Sequence, residues 1–284
     1  MGVRWLKPGS AWQNRTFAGP TGKKCAEGPF VSSNMSKVYF VGAGPGDPEL
    51  ITVKGLRIIR EADLVLFAGS LVPQGIAAQA KKGAHVVDSS PLTLEQTHAL
   101  LVETVTGGGM AARVHTGDPS LFGALREQMR LLDKEGIPYE VIPGVSAALA
   151  AAAAAKVSFT VPEKTQTLIL TRPPGRTTVP DAESLRELAG HKCAMAIYLS
   201  GHDPKTTALE LISGGLPETT PVVVAHKIGQ PGESIIATTL HAMGRESRTE
   251  DMARQTVFLV LPGEDGEDHP SKLYDINFKH GFRP

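Results

Sequence analysis

The chain has 284 residues, of which 41% are hydrophobic, and its 29 basic side chains are balanced by 29 acidic ones. Since domains usually span about 100–200 residues, we expect two domains. The balanced charge argues against a nucleic-acid partner, and the lack of any run of about 18 apolar residues argues against a membrane span.

Residues 1–34 come before the first strand-like segment. Glycine, proline, serine and lysine recur there without a period, and Glu27 is the one acidic residue. We therefore expect a disordered leader or an upstream-start extension, with Met35 as the natural start and a transit peptide as the alternative. The segment has no signal-peptide core, and the chain has only two cysteines, so we expect a cytoplasmic protein.

Residues 37–144 alternate between strand-like and helical segments. Strands are predicted at 38–41, 64–67, 85–87, 111–115 and 139–142, with helices at 50–62 and 121–134 between them. This alternation is typical of parallel strands covered by helices. We predict an amino-terminal α/β domain over 37–144 with a mostly parallel sheet.

Residues 145–263 form a different pattern. A helix is predicted at 146–155, with further helices near 183–189, 205–212 and 248–253. Strands are predicted at 167–170, 194–199, 222–227, 235–239 and 257–261. The pair at 222–227 and 235–239, joined across the residues GQPG, predicts a hairpin. We therefore expect a carboxyl-terminal α/β domain with a mixed sheet, followed by a tail at 264–284.

Three glycine loops each follow a predicted strand directly, at 41–47 (VGAGPGD), 115–119 (HTGDP) and 142–146 (IPGVS). Ligands of open α/β sheets bind at the carboxyl ends of strands, so these loops predict a binding site. A dinucleotide is disfavoured because Asp47 stands where that motif needs a small residue, and no acidic residue follows the strand at 64–67. A nicotinamide or flavin oxidoreductase is therefore the weaker hypothesis.

Several longer motifs accompany the glycine loops. They are TQTLILTR at 165–172, GRT at 175–177, HKC at 191–193 and PVVV at 221–224. With these motifs, the chain resembles the tetrapyrrole methylases over about residues 37–263, and within them the branch that acts at C11. The resemblance implies a two-domain α/β fold, a homodimer, and S-adenosylmethionine bound as methyl donor in the cleft between the domains.

The resemblance also implies which residues bind the cofactor. They come from the three glycine loops and from the ends of two strands of the second domain. These residues are Pro45, Thr116, Gly117, Asp118, Leu121, Ser146, Ala147, Leu199, Lys227 and Ile228.

Catalytic residues are harder to predict, because the sequence shows no catalytic triad, metal-ligand cluster or close carboxylate pair. Related uroporphyrinogen methylases carry an aspartate where this chain has Ala68, so no base is transferred from that position. Weak candidates are His115 and Ser70. We expect alignment of the two reactants, without a protein metal ion, to provide most of the catalysis.

The substrate implied by the resemblance is a tetrapyrrole that bears several carboxylates, so the cleft should present basic side chains. Candidates are Arg113, Arg172 and Arg176. The implied reaction is methylation of precorrin-4 at C11 to precorrin-5 in cobalamin biosynthesis. Alternatives are the cobalt-containing macrocycle, another ring position, and a non-catalytic tetrapyrrole-binding protein.

Overall fold

The computed structural model describes residues 36–281, apart from 70, 73, 246–249, 265, 268, 276, 277 and 280. The predicted leader at 1–34 lies outside the described residues. The described part contains two five-stranded sheets. One lies within 37–144 and the other within 145–263, while the exact division into domains stays a prediction.

The first sheet is parallel throughout, with strand order β3-β2-β4-β1-β5. This confirms the predicted parallel arrangement. Apolar residues of β1, β2 and β4 are buried on both faces of the sheet, as expected where helices cover both faces. The strands are β1 (Val38–Gly42), β2 (Leu64–Phe67), β3 (His85–Asp88), β4 (Ala111–His115) and β5 (Tyr139–Ile142).

Four α-helices accompany this sheet in the described chain, and two of them, α2 (Gln74–Ala77) and α3 (Leu94–Thr106), were not among the predicted helices. Helix α3 begins with a capping box in which Thr93 and Gln96 each bond the other's backbone N–H. The first helix was predicted from residue 50, but a 3-10 turn ends at Leu50 and the α-helix begins only at Val53. The Thr52 side chain caps this helix by accepting the Gly55 N–H. The helices are α1 (Val53–Glu61), α2 (Gln74–Ala77), α3 (Leu94–Thr106) and α4 (Leu125–Glu135).

The predicted helix at 121–134 was wrong at its beginning, since α4 starts only at Leu125. Phe122 and Ala124 have φ angles of 54° and 47°, in the left-handed region that a right-handed helix excludes. Residues 121–124 therefore form a separate turn next to the second glycine loop.

The second sheet is mixed, with order β6-β7-β10-β8-β9. Only β6 and β7 are parallel, and β8 and β9 form the predicted antiparallel hairpin. The strands are β6 (Leu168–Thr171), β7 (Ala194–Ile197), β8 (Pro221–His226), β9 (Ser234–Thr239) and β10 (Thr256–Val260).

The helices of this second unit largely follow the prediction, but two differences stand out. Within the helix predicted at 248–253, the described residues form a 3-10 turn at Glu250–Ala253, and an unpredicted helix precedes it. No helix among the described residues has the length and apolarity needed to cross a bilayer. The α-helices are α5 (Ala147–Ala155), α6 (Leu185–Ala189), α7 (Pro204–Ser213) and α8 (Leu240–Arg245).

The three glycine loops meet where β4, β1 and β5 end side by side. A Cβ on Gly42 would lie 2.6 Å from the Gly144 nitrogen, and one on Gly144 would lie 2.1 Å from the Gly117 oxygen. Glycine is needed at Gly42 because another backbone segment approaches it closely. Glycine is needed at Gly44 because the φ angle there is 77°, in the left-handed region. The Gly117 N–H donates to the Gly44 oxygen at 2.7 Å, which joins the first two loops.

We expect Gly144→Ala to lower the free energy of unfolding by about 1–3 kcal/mol or more, because backbone atoms must move to admit the methyl group. Chemical denaturation measures the change. The control is Gly175→Ala, at a position with nothing within 4 Å of the added carbon, which should change stability by less than about 0.5 kcal/mol. Equal effects of the two substitutions would contradict the packing argument.

Candidate functional site

A cavity of about 660 Å³ lies between the carboxyl ends of the first sheet and the loops of the second unit. All ten residues that the sequence assigned to the cofactor line this cavity, although their role as cofactor contacts stays a prediction. The sequence analysis missed nine further lining residues. These are Leu71, Phe122, Tyr198, Gln230, Ala253, Arg254, Gln255, Thr256 and Val257.

Asp118 holds the second and third glycine loops together. Its Oδ2 accepts the Gly144 N–H at 2.9 Å, and its Oδ1 accepts the N–H of Ser120 at 2.8 Å and the Ser120 hydroxyl. Burial acts to raise the pKa of Asp118, but the bonds from Ser120 and Gly144 outweigh it and keep that pKa below its ordinary value. The carboxylate is therefore ionised and engaged at both oxygens. Asp118 therefore fixes the second and third glycine loops relative to each other.

Ser146 and Tyr198 connect the third loop to the second sheet. The Ser146 Oγ lies 2.8 Å from the Tyr198 hydroxyl, which also accepts the Ala148 N–H at 3.2 Å. Ser146 makes no side-chain bond to its own helix, although it precedes α5 at the usual capping position. The Tyr198 hydroxyl supplies the acceptor instead, so α5 is capped from a distant part of the chain.

Gln230 connects the first loop to the second unit. Its Nε2 donates to the Pro45 oxygen at 2.9 Å, and its Oε1 accepts from Gln255 at 3.0 Å. The sequence predicted only a hairpin turn at this glutamine, because nothing local indicates that the turn reaches the loop after β1. Pro45 and Gln230 thus form one wall of the cavity.

Four lining residues other than glycine have left-handed backbone conformations. They are Phe122, Leu199, Lys227 and Gln255, with φ angles between 50° and 55°. Such conformations cost about 1–3 kcal/mol each and gather at functional sites, where the surrounding structure maintains them. Their concentration around one cavity supports its identification as the functional site.

Of the two candidate catalytic residues, the structure describes only His115. Ser70 lies outside the described residues. His115 is only 7% exposed and does not line the cavity, and its Nε2 has no hydrogen-bond partner among the described residues. Burial, together with the charge of Arg113, lowers the pKa of His115 to about 3, so the ring is neutral near pH 7.

None of the three arginines predicted to bind substrate lines the cavity. The Arg113 guanidinium is turned inward, where it donates to Ser89 at 2.7 Å and to Gln128 at 3.1 Å, and burial lowers its pKa to about 10. Arg176 is exposed on a loop beyond the cavity. Burial and local partners thus hold the Arg113 guanidinium inside the protein, and its contact with substrate stays a prediction.

Arg172 has a structural task in its own loop. Its guanidinium donates to the backbone oxygen and the hydroxyl of Thr177, and to the backbone oxygens of Pro173 and Thr178. The loop after β6 therefore closes around this side chain. The basic side chains that do line the cavity are Lys227 and Arg254.

The profile of the family described as Tetrapyrrole (Corrin/Porphyrin) Methylases matches residues 37–244. The chain belongs to the tetrapyrrole methylase family. The predictions of the family, of its fold class and of a methyltransferase are thereby confirmed.

Individual relatives match most of the chain. A cobalt-precorrin-4 C(11)-methyltransferase of Priestia megaterium is 46% identical over 87% of this chain and 97% of its own length. A precorrin-4 C(11)-methyltransferase of Pseudomonas aeruginosa is 42% identical over 87% of this chain and 98% of its own length.

Among solved structures, that of a cobalamin biosynthetic enzyme, cobalt precorrin-4 methyltransferase, superposes with a TM-score of 0.77. It is 45% identical and covers 81% of this chain and 97% of its own.

We expect the buried, neutral His115 to make the protein sensitive to acid. Its pKa lies at about 3 in the folded state against an ordinary 6.5, so below pH 6.5 only the unfolded chain takes up a proton. The free energy of unfolding should therefore decrease as the pH is lowered from 6.5 to 3. The His115 imidazole contributes up to about 1.4 kcal/mol of this decrease per pH unit.

Urea denaturation at a series of pH values measures this slope. His115→Gln should flatten it, whereas His85→Gln, at an exposed position on β3, should leave it as in the parent. If His115→Gln and the parent have the same slope, the buried imidazole is not the source of the acid sensitivity.

Proposed function

We propose that this chain transfers a methyl group from S-adenosylmethionine to C11 of precorrin-4, giving precorrin-5 in cobalamin biosynthesis. The observation that carries the proposal is the convergence of all ten expected cofactor residues on one cavity in a chain of this family. The names of the relatives support C11 as the position. Some of those names specify the cobalt-containing macrocycle, which is the alternative substrate.

The cavity is suited to S-adenosylmethionine in size and chemistry. Its volume of about 660 Å³ lies in the range of about 300–1,000 Å³ typical of sites for small molecules. Much of the wall is main chain and apolar side chain, including Pro45, Leu121 and Ile228. Asp118 is the acidic residue among the described lining residues, and both of its oxygens accept hydrogen bonds from the protein. The wall therefore presents no free carboxylate that would compete with the macrocycle as a nucleophile for the methyl group.

The residues named above would hold the cofactor, which supplies the methyl group when bound. The side chains of this chain orient the reactants and exclude water. Because the attacking carbon belongs to an electron-rich macrocycle and the departing thioether takes no proton, no general acid is needed. Alignment of two bound reactants can supply roughly 7–11 kcal/mol of the barrier reduction. The residues that line this cavity would contribute to catalysis through such alignment.

Arg254 would recognise a carboxylate of the macrocycle, while Lys227 stays among the residues expected to bind the cofactor. Arg254 lines the cavity, and charge-assisted hydrogen bonds to carboxylates are the strong ones. The arginines predicted from the sequence to bind substrate do not line the cavity.

Assembly as a homodimer, a cytoplasmic location, the lack of nucleic-acid and membrane partners, and the lack of a protein metal ion stay predictions. The tail at 264–284 is described only in part and is given no role.

We predict that Asp118→Ala weakens binding of S-adenosylhomocysteine at least about tenfold, because loss of the carboxylate frees the loops that form the cofactor wall. Isothermal titration calorimetry measures the affinity. The matched control is Asp203→Ala, which removes an aspartate that accepts the Thr206 N–H at the start of α7, away from the cavity. Both variants should lose about 1 kcal/mol of stability, because each substitution removes hydrogen bonds from backbone N–H groups to a carboxylate. Unchanged affinity in Asp118→Ala would remove this residue from the cofactor site.

The reaction itself is tested with S-adenosylmethionine labelled in its methyl group and with each macrocycle, precorrin-4 and cobalt-precorrin-4. We expect label in the C11 methyl group of the product, located by nuclear magnetic resonance. The ratio of kcat/KM for the two substrates identifies the preferred one. Label at another ring carbon, or no transfer to either macrocycle, would contradict the proposal.

A further inference from the structure

The mouth of the cavity is apolar although it faces water. Three large apolar side chains of the lining are exposed, namely Leu71 at 40%, Phe122 at 47% and Leu199 at 62%. Large apolar groups left open around a cavity mark a surface that a ligand covers. The family and the cavity together suggest a ligand larger than the cofactor alone, since the other reactant is a wide macrocycle.

Phe122 is the aromatic residue in this group, and its backbone adopts a strained conformation. Its φ of 54° is a genuine outlier for a bulky side chain. The next residue, Gly123, admits no side chain, because a Cβ there would lie 2.5 Å from the Pro119 oxygen. The turn is therefore tightly built, and it keeps an aromatic ring half in water, which core packing does not explain.

The Phe122 ring also contacts the part of the site expected to hold the cofactor. Its centroid lies 5.3 Å from that of the Tyr198 ring, at an interplanar angle of 54°. The Tyr198 hydroxyl in turn lies 2.8 Å from the Ser146 Oγ at the third glycine loop. A ligand that rests on Phe122 is thereby placed relative to the loops that line the cavity.

We propose that Phe122 is a positioning residue for the macrocycle, whose apolar face packs on the exposed side of this ring. The proposal rests on the proposed methyl transfer and names the side chain that holds the second substrate. Aromatic rings combine a large apolar area with preferred ring geometry, so contact with one face of a macrocycle limits both its distance and its tilt. The left-handed backbone at Phe122 is then a cost accepted for substrate alignment.

The test separates the ring from the strained backbone with two substitutions. Phe122→Ala and Phe122→Gly both remove the ring, but glycine adopts the left-handed conformation more easily than alanine does. We expect both to raise KM for the macrocycle about tenfold at saturating S-adenosylmethionine, while the calorimetric Kd of S-adenosylhomocysteine stays within about twofold. The glycine variant should have the higher Tm of the two.

Two further variants complete the design. Phe122→Trp keeps an aromatic face and should retain KM within about threefold of the parent. Ala124→Gly relieves the same kind of strain two residues further on, at an exposed position that does not line the cavity. It should raise Tm and leave KM unchanged.

A parent-like KM in Phe122→Ala or in Phe122→Gly would overturn the assignment. A rise in KM accompanied by an equal loss of S-adenosylhomocysteine affinity would also overturn it, since the ring would then act on the cofactor loops. If the parent methylates neither macrocycle, the proposed function fails by itself. The role of Phe122 is then tested by equilibrium binding of uroporphyrin III, a stable tetrapyrrole. Weaker binding by Phe122→Ala than by the parent supports the role, and equal binding overturns it.

Discussion

The close approach of three glycine backbones at the ends of β1, β4 and β5 is the constraint on which the rest of this site depends. Gly42, Gly117 and Gly144 lie so near one another that any side chain at Gly42 or Gly144 would overlap main-chain atoms. Close-packed interiors do not absorb such overlap without displacing their neighbours. The loops therefore reach one another only because these positions carry no Cβ, and the cavity opens where the loops end.

The polar side chains around the cavity hold the protein together. Asp118 accepts N–H groups from two loops, Tyr198 accepts from the start of α5, and Gln230 donates to the backbone of the first loop. Each of these bonds ties a segment of the cavity wall to another part of the chain. A reaction in which the leaving group needs no proton benefits more from such fixed walls than from a titrating side chain. The buried, neutral His115 agrees with this division of tasks, because it does not line the cavity.

The second unit completes the site with residues whose backbones are strained. Leu199, Lys227 and Gln255 all have positive φ, and all lie on loops at the ends of strands in the mixed sheet. Strain of this kind persists only where neighbouring contacts impose it, and for Gln255 the link through Gln230 to Pro45 is such a contact. The two units therefore shape the cavity jointly, and these strained residues all line it.

The sequence by itself determined the two sheets, the hairpin and the glycine loops, because these depend on local periodicity and on backbone freedom. With the family motifs, it also determined the ten residues expected to bind the cofactor, which the fold gathers round one cavity. It did not determine the direction of Arg113, which turns inward to Ser89 and Gln128, since those partners come from a distant strand end and from α4. Nor did it indicate Phe122, whose role depends on a left-handed turn and on a ring from the other unit. Only the tertiary structure decided these points, because burial and partners are set by contacts between segments far apart in the chain, which no local pattern encodes.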